Sequence, residues 1–434
     1  MASTLNETVR EDGLRVITKR LSYFKSTWLS VSALVGCAND GENKEGFFHF
    51  FEHMAFKGTE TKNMSELKEI LGRFLYSNAF TEYTHTTYLL AGLYTKRDEI
   101  KNVLLDLYSN SSYPVSEIDK EKGVVLREAA ELKDEDSKFA WCELCKLLWK
   151  SNPLRRIGVG IPEGMEAINQ GSLIAAHKQW YRPSNTIVVG TGNLEHEWLV
   201  EKVFEFFPKD NGKTTHSIYD DEVNDPILRR EISFERKERE NAVVLLGCKV
   251  PKYSERELLA LKLLNWMFGG GFDSVLFKEI RDKHGLAYAI GSFLSTNPLG
   301  NCWGFESEVG PEHIYDAKKL MEEIIYGFEL DPAHFARTKT CWVENAMLSL
   351  ESPKQWEGLL LEKLIRNGKS IESLNNYMQL KIYQEDAIDE LLDKAKKLLN
   401  MEDGKKLVFK APTGSGKTIM MAEFLKQLVD DKEV

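Results

Sequence analysis

Long apolar runs are missing from this chain. No stretch of 18 or more apolar residues occurs in its 434 residues, so no bilayer-spanning helix is expected. An excess of basic charge is missing too. The formal net charge is −10, which argues against an electrostatic nucleic-acid binder with a basic face. The opening "MASTLNETVREDG" lacks both the apolar core of a secretory signal and the Arg-rich, acid-poor character of a transit peptide. Cysteine is sparse, six residues in all, and only Cys142 and Cys145 form a CxxC. That pair sits in a helix-like stretch with no second pair, which favours reduced helix cysteines over a zinc or redox site. Together these features place the protein in a reducing cytoplasm, with neither nucleic acid nor membrane as a partner.

What is present is a hydrophobic content of 42%, enough for a real core. Residues 27–36 alternate as a strand with one buried face. An apolar helix follows at 46–57, then the helix "MSELKEILGRFLY" opened by Asn63 and Glu66, the strand "TTYLLAGLY" and a helix over 96–109. Ser116 and Asp119, behind Pro114, have the spacing to cap a long helix that runs to about residue 133. A helix at 172–182, the strand at 185–192 and a helix at 195–207 complete this half. Residues 208–227 are polar, with Pro208 and Pro226 near the two ends, and the linker is read over 211–228. The pattern then restarts with "NAVVLLGCKV" and "RELLALKLLNWMF", a duplication with a period of roughly 200 residues. The expected fold is α+β: two homologous domains, 1–210 and 229–377, each a mostly antiparallel sheet with helices on one face, and a tail over 378–434. Gly269–Gly271 reads as a flexible loop, since it lacks the GxGxxG spacing of a phosphate loop.

Chemistry concentrates in "HFFEHMAFKGT". His49 and His53 stand at i and i+4 on one helix face, with Glu52 beside them. The rest of that helix is Phe, Met and Ala, so it is buried. Two imidazoles and a carboxylate are costly to bury without partners, and a divalent metal is one such partner. Histidines bonded to backbone carbonyls are the other reading. Downstream, Glu121 and Glu128 lie seven residues apart in "DKEKGVVLRE", two turns along one face, with Val124 and Val125 between them. A carboxylate on an inward face needs a partner.

HxxEH is the inverted zincin motif. With Glu128 downstream, the chain resembles the pitrilysin family, which includes insulin-degrading enzyme and the mitochondrial processing peptidase. The resemblance runs over residues 8–376 through "HFFEHMAFKGT", "SNAFTEYTHTTY", "DKEKGVVLRE", "WYRPSNTIVVGTGNLEHEWLVEKVFEFF" and "FGGGFDSVLFKEIRDKHGLAY". It implies that His49, His53 and Glu128 ligate Zn²⁺, that Glu52 is the general base, and that Glu121 supports the ligands from behind. It implies that Arg281 and Tyr288 reach the substrate. It also implies that Asn78, Ala79 and Phe80 lie on the edge strand where a peptide adds as a further strand. Here "LYSNAFT" replaces a common glycine pair, which alters the lead into that strand. A zinc endopeptidase acting on peptides or unfolded polypeptide segments follows, with the chain working by itself, as a homodimer or beside a related inactive subunit. An inactive binding or scaffold subunit is the alternative.

The chain closes on "APTGSGKT", a phosphate-loop pattern with Ala411 at the first glycine position. Gly414, Gly416, Lys417 and Thr418 stand between a strand-like and a helix-like segment. Only sixteen residues follow Thr418, too few to supply the later strands that hydrolysis needs. Residues 378–434 resemble the opening of a helicase-type ATPase such as the translocase subunit of type III restriction enzymes, and mark a junction near 377. The loop is read as vestigial, with a nucleotide-binding protein as the lesser reading. The helix, strand and helix of this tail match the order of elements that the second half lacks, so the tail is expected to complete the second sheet.

Overall fold

The computed structural model describes residues 5–210, 231–233, 240–251 and 255–367. The phosphate-loop residues and the expected completion of the second sheet lie outside these described residues.

The first half contains β1 (Leu5–Val9), β2 (Arg15–Arg20), β3 (Ser26–Ala33), α1 (Phe47–Ala55), α2 (Met64–Leu71), β4 (Tyr76–Thr81), β5 (Thr86–Leu93), α3 (Arg97–Ser109) and α4 (Val115–Asp134). It continues with α5 (Asp136–Leu148), α6 (Pro162–Glu166), α7 (Gln170–Trp180), β6 (Thr186–Gly192) and α8 (His196–Phe206). The second half has β7 (Ala242–Val250), α9 (Glu255–Gly269), β8 (Ala287–Asn297), β9 (Gly300–Val309), α10 (Ile314–Gly327), α11 (Pro332–Ser349) and α12 (Pro353–Asn367).

Six strands form one sheet in the order β1-β2-β6-β3-β5-β4. Every pair is antiparallel except β2 with β6. Leu29, Val31, Tyr88, Leu90 and Val188 bury one face of this sheet against Phe48, Phe51 and Met54 of α1 and Leu104 of α3. A separate three-stranded antiparallel sheet runs β7-β9-β8. Its core joins Val244, Trp303 and Phe305 to Phe268 of α9 and Met321 of α10. Both sheets therefore carry the expected α+β design. Among the described residues no helix is long and apolar enough to cross a membrane.

Local signals explain the element ends. The Asn63 side chain accepts the Ser65 and Glu66 amides, and the Glu66 carboxylate accepts the Asn63 amide at 2.9 Å. This reciprocal cap starts α2. The helix stops at Leu71, short of the 64–76 reading, because Gly72 ends it and Tyr76 enters β4 against Ala91. The long helix α4 begins at Val115, so Ser116 lies inside it rather than capping it. The turn before it closes through the Glu117 amide on the Pro114 carbonyl at 3.0 Å.

The chain folds as two compact units that exchange helices. The first holds β1–β6, α1–α4, α6–α8 and also α12. The second holds β7–β9, α9–α11 and also α5. Side-chain complementarity accounts for both placements. Ile17, Ile187 and Val189 make the reverse face of the six-stranded sheet apolar, and Leu360 and Leu364 of α12 cover them. Trp356 of the same helix lies 4.4 Å from the buried Lys19 ammonium, a cation–π contact that helps to settle an otherwise costly charge. The first sheet is thus covered on both faces. In the second unit, Trp141 of α5 meets Phe293 edge-on at 5.0 Å, and a side chain at Gly247 would collide with Leu144. Leu360 is fully buried, so Leu360→Ala is expected to destabilise the first unit by about 3 kcal/mol. Urea unfolding checks this, and an unchanged midpoint would show that α12 contributes little.

Candidate metal centre

The centre begins with how α1 is held. Phe48, Phe50, Phe51 and Met54 are buried around it, which leaves His49 and His53 on the remaining stripe. At its N-terminus the Asp40 carboxylate accepts the Gly46 amide at 2.7 Å and the Phe48 amide at 3.0 Å. This cap comes from outside the helix and satisfies amides that the helix itself leaves open. Burial pushes the Asp40 carboxyl up to about 7, against the pull of those two amides. Gly46 has φ of +93°, and a Cβ there would lie 2.3 Å from the Gly160 Cα. Only glycine permits this approach. It seats the 158–160 loop on α1 and brings the Val159 carbonyl within 2.9 Å of His49 Nδ1.

His53 Nδ1 lies 2.9 Å from Glu121 Oε1, and Lys57 Nζ lies 2.5 Å from the other Glu121 oxygen. Both imidazoles thus face an acceptor with Nδ1 and must donate there. Their Nε2 atoms are 3.2 Å apart. Glu128 Oε2 is 3.7 Å from His49 Nε2 and 3.6 Å from His53 Nε2. When both rings are neutral, two lone pairs and a carboxylate oxygen converge on one point. Tetrahedral ligands with bonds of roughly 2.0–2.1 Å stand roughly 3.3 Å apart, close to the spacing here. These donors fit a divalent metal of the zinc type.

Electrostatics support the same division. Burial, and then the neighbouring His53, push His49 down to about 4, so its ring is neutral at ordinary pH. Burial also pulls on His53, but the Glu121 bond and the charges of Glu128 and Glu52 outweigh it and leave this ring above its usual value. Glu121 is driven up by burial, yet His53 and Lys57 hold it below the ordinary carboxylate range. Glu52 is buried and accepts the Thr81 hydroxyl at 2.8 Å. Burial pushes its carboxyl up against the pull of Thr81 and His53.

These groups open on a cleft of about 490 Å³. Asn78, Ala79 and Phe80 line it. They belong to β4, the end strand of the sheet among the described residues, where they pair with Leu89, Tyr88 and Thr87 on one side. Asn78 donates to the Tyr76 hydroxyl at 3.2 Å. The structure brings His49, His53, Glu128, Glu121, Glu52 and this strand together in the first unit. Arg281 and Tyr288 belong to the second. Arg281 stands in a π-helical turn over Phe277–Lys283, 4.9 Å from the Phe277 ring. Tyr288 is 74% exposed on β8, where the pairing with β9 shifts between Ala287 and Ala289. Such a bulge re-aims a side chain.

Residues 15–159 match the family described as "Insulinase (Peptidase family M16)", and residues 167–340 match "Peptidase M16 inactive domain". An uncharacterized zinc protease of Rickettsia felis is 31% identical over 304 residues, covering 68% of this chain and 71% of that protein. The chain belongs to peptidase family M16. Another M16-like relative, the uncharacterized zinc protease ML0855 of Mycobacterium leprae, is 27% identical and covers 95% of this chain and 93% of its own. The M16 fold is shared with a solved protease from Helicobacter pylori, with a TM-score of 0.77 at 21% identity over 88% of this chain and 93% of that one. A solved M16 inactive domain from Pseudomonas fluorescens gives 0.75 at 18% identity, over 87% and 91%. Residues 377–434 match "Type III restriction enzyme, res subunit", beyond the residues that the two M16 family descriptions match.

Three contributors to this M16 site carry no motif of their own. Val159 acts through a backbone carbonyl, Thr81 through a hydroxyl at a strand end, and Asp40 through a cap six residues before Gly46. The flanking Gly158 and Gly160 were the only sequence signal for the first.

Proposed function

We propose that this M16 chain is a zinc-dependent endopeptidase acting on peptides or unfolded segments. The observation that carries the reading is the convergence of His49 Nε2, His53 Nε2 and Glu128 Oε2, with both remaining ring nitrogens held by acceptors. The names of the relatives, uncharacterized zinc proteases, agree with it. An inactive scaffold subunit would need neither this donor set nor a buried carboxylate beside it.

When bound, zinc polarises a scissile carbonyl and lowers the pKa of a water towards about 7. The chain's own residues do the rest. His49 and His53 present their ring nitrogens with the tautomer fixed by Val159 and Glu121. Glu52, held by Thr81 and kept basic by burial, takes a proton from the attacking water and returns it to the leaving amine nitrogen. A peptide adds to the free side of β4 in extended form, which places its backbone along Asn78, Ala79 and Phe80. Arg281 and the exposed Tyr288 complete the proposal as substrate-contacting groups. Six free cysteines fit a cytoplasmic location. A second copy of the chain or an inactive relative remains the partner of this reading.

The test is metal analysis of the purified protein, with about one zinc per chain expected. Glu121→Gln keeps the shape but replaces the charged acceptor of His53 and the partner of Lys57. It is expected to weaken zinc affinity by about 10–100-fold. Competition with a chromogenic chelator measures this, and an unchanged affinity would remove Glu121 from the site.

A further inference from the structure

We propose that Glu82 selects a lysine or arginine side chain beside the scissile bond. This deepens the peptidase reading and rests on it. Glu82 lines the same cleft as His49, Glu52 and His53 and is exposed to solvent. It follows Thr81 directly, and the Thr81 hydroxyl bonds Glu52 at 2.8 Å. A strand rises about 3.3 Å per residue, so Glu82 serves substrate positions next to the reacting bond.

Its backbone is fixed on both sides. The Glu82 amide donates to the His85 carbonyl at 2.8 Å, and its own carbonyl accepts the Cys37 amide at 3.0 Å. Gly36 lies so close that a Cβ there would be 2.0 Å from the Glu82 oxygen. The carboxylate is therefore presented from a rigid turn, and little backbone freedom is lost when a ligand binds.

Charge gives the specificity. Among the described residues no lysine or arginine lines the cleft. The nearby Arg156 spends its guanidinium on the Asp40 carbonyl at 2.7 Å and on the Ala38 carbonyl. Among the described residues the Glu82 carboxylate has no cationic partner. Glu52, the other carboxylate lining the cleft, is held by Thr81. A peptide strand laid on β4 excludes water from this wall. A neutral substrate side chain then leaves Glu82 unpaired, an acidic one repels it, and a basic one satisfies it.

The experiment uses matched peptides that carry lysine, norleucine or glutamate in turn at each of the positions flanking the cleaved bond. The full-length zinc-loaded protein is compared with Glu82→Gln and Glu82→Lys. The lysine-to-norleucine ratio of kcat/KM is expected to be about fivefold at one or two adjacent positions. It should fall to about one in Glu82→Gln, and Glu82→Lys should favour glutamate instead. The same peptides are titrated by fluorescence anisotropy against Glu52→Gln and against the Glu52→Gln, Glu82→Gln double variant. A flat ratio at every position, or a ratio that survives Glu82→Gln, overturns the role of Glu82 and leaves the peptidase reading standing. Lysine-selective binding without cleavage by the unaltered protein supports Glu82 and contradicts the peptidase reading. Failure both to bind and to cleave overturns both.

Discussion

Glu52→Gln is expected to slow peptide cleavage by at least about a thousandfold while zinc content stays unchanged. The substitution preserves the volume, and the amide oxygen can still accept the Thr81 hydroxyl that Glu52 accepts at 2.8 Å. What disappears is basicity. General acid–base catalysis by one positioned group contributes about 10²–10⁴-fold, and this carboxylate is asked to act at both ends of the reaction. It is also buried, so bulk water cannot readily substitute as the proton acceptor. Steady-state cleavage of a fluorogenic peptide beside metal analysis separates the two effects. Full activity with zinc retained would remove Glu52 from the chemistry; loss of both would make it a structural residue.

His53→Ala is expected to abolish tight zinc binding, with a loss on the order of a thousandfold or more. The substitution removes one of three converging donors. It also deprives Glu121 of its 2.9 Å partner, leaving that buried carboxylate with Lys57 alone. A metal that binds only the folded state stabilises it by mass action, about 2.7 kcal/mol at a free concentration one hundred times the dissociation constant. Zinc should therefore raise the Tm of the unaltered protein and leave that of His53→Ala where it is. An equal rise in both would place the metal elsewhere.

The chemical groups were easier to read from the sequence than the address of each helix. The i, i+4 histidines, the carboxylates two turns apart and the Asn63–Glu66 cap are local patterns, and local geometry decides them. The placement of α5 and α12 is different. The stretch of α5 reads as a helix, whereas residues 353–367 were not read as one, and which sheet each covers depends on Ile17, Ile187 and Val189 at one site and Gly247 and Phe293 at the other. No periodicity in the helix itself carries that information. The strand β1, "LNETV", is mostly polar and gives no alternation to read; it is defined by pairing with β2. Val159 was illegible for another reason. Its contribution is a carbonyl that every residue possesses, and only the close approach of Gly46 to Gly160 selects it.

The most direct measurement is cleavage of a mixed peptide library by the purified full-length protein, followed by mass spectrometry before chelation, after it, and after zinc is restored. The account predicts internal cleavage that stops with the chelator and returns with zinc. Cleavage indifferent to the chelator, or none from a zinc-loaded protein, would contradict it.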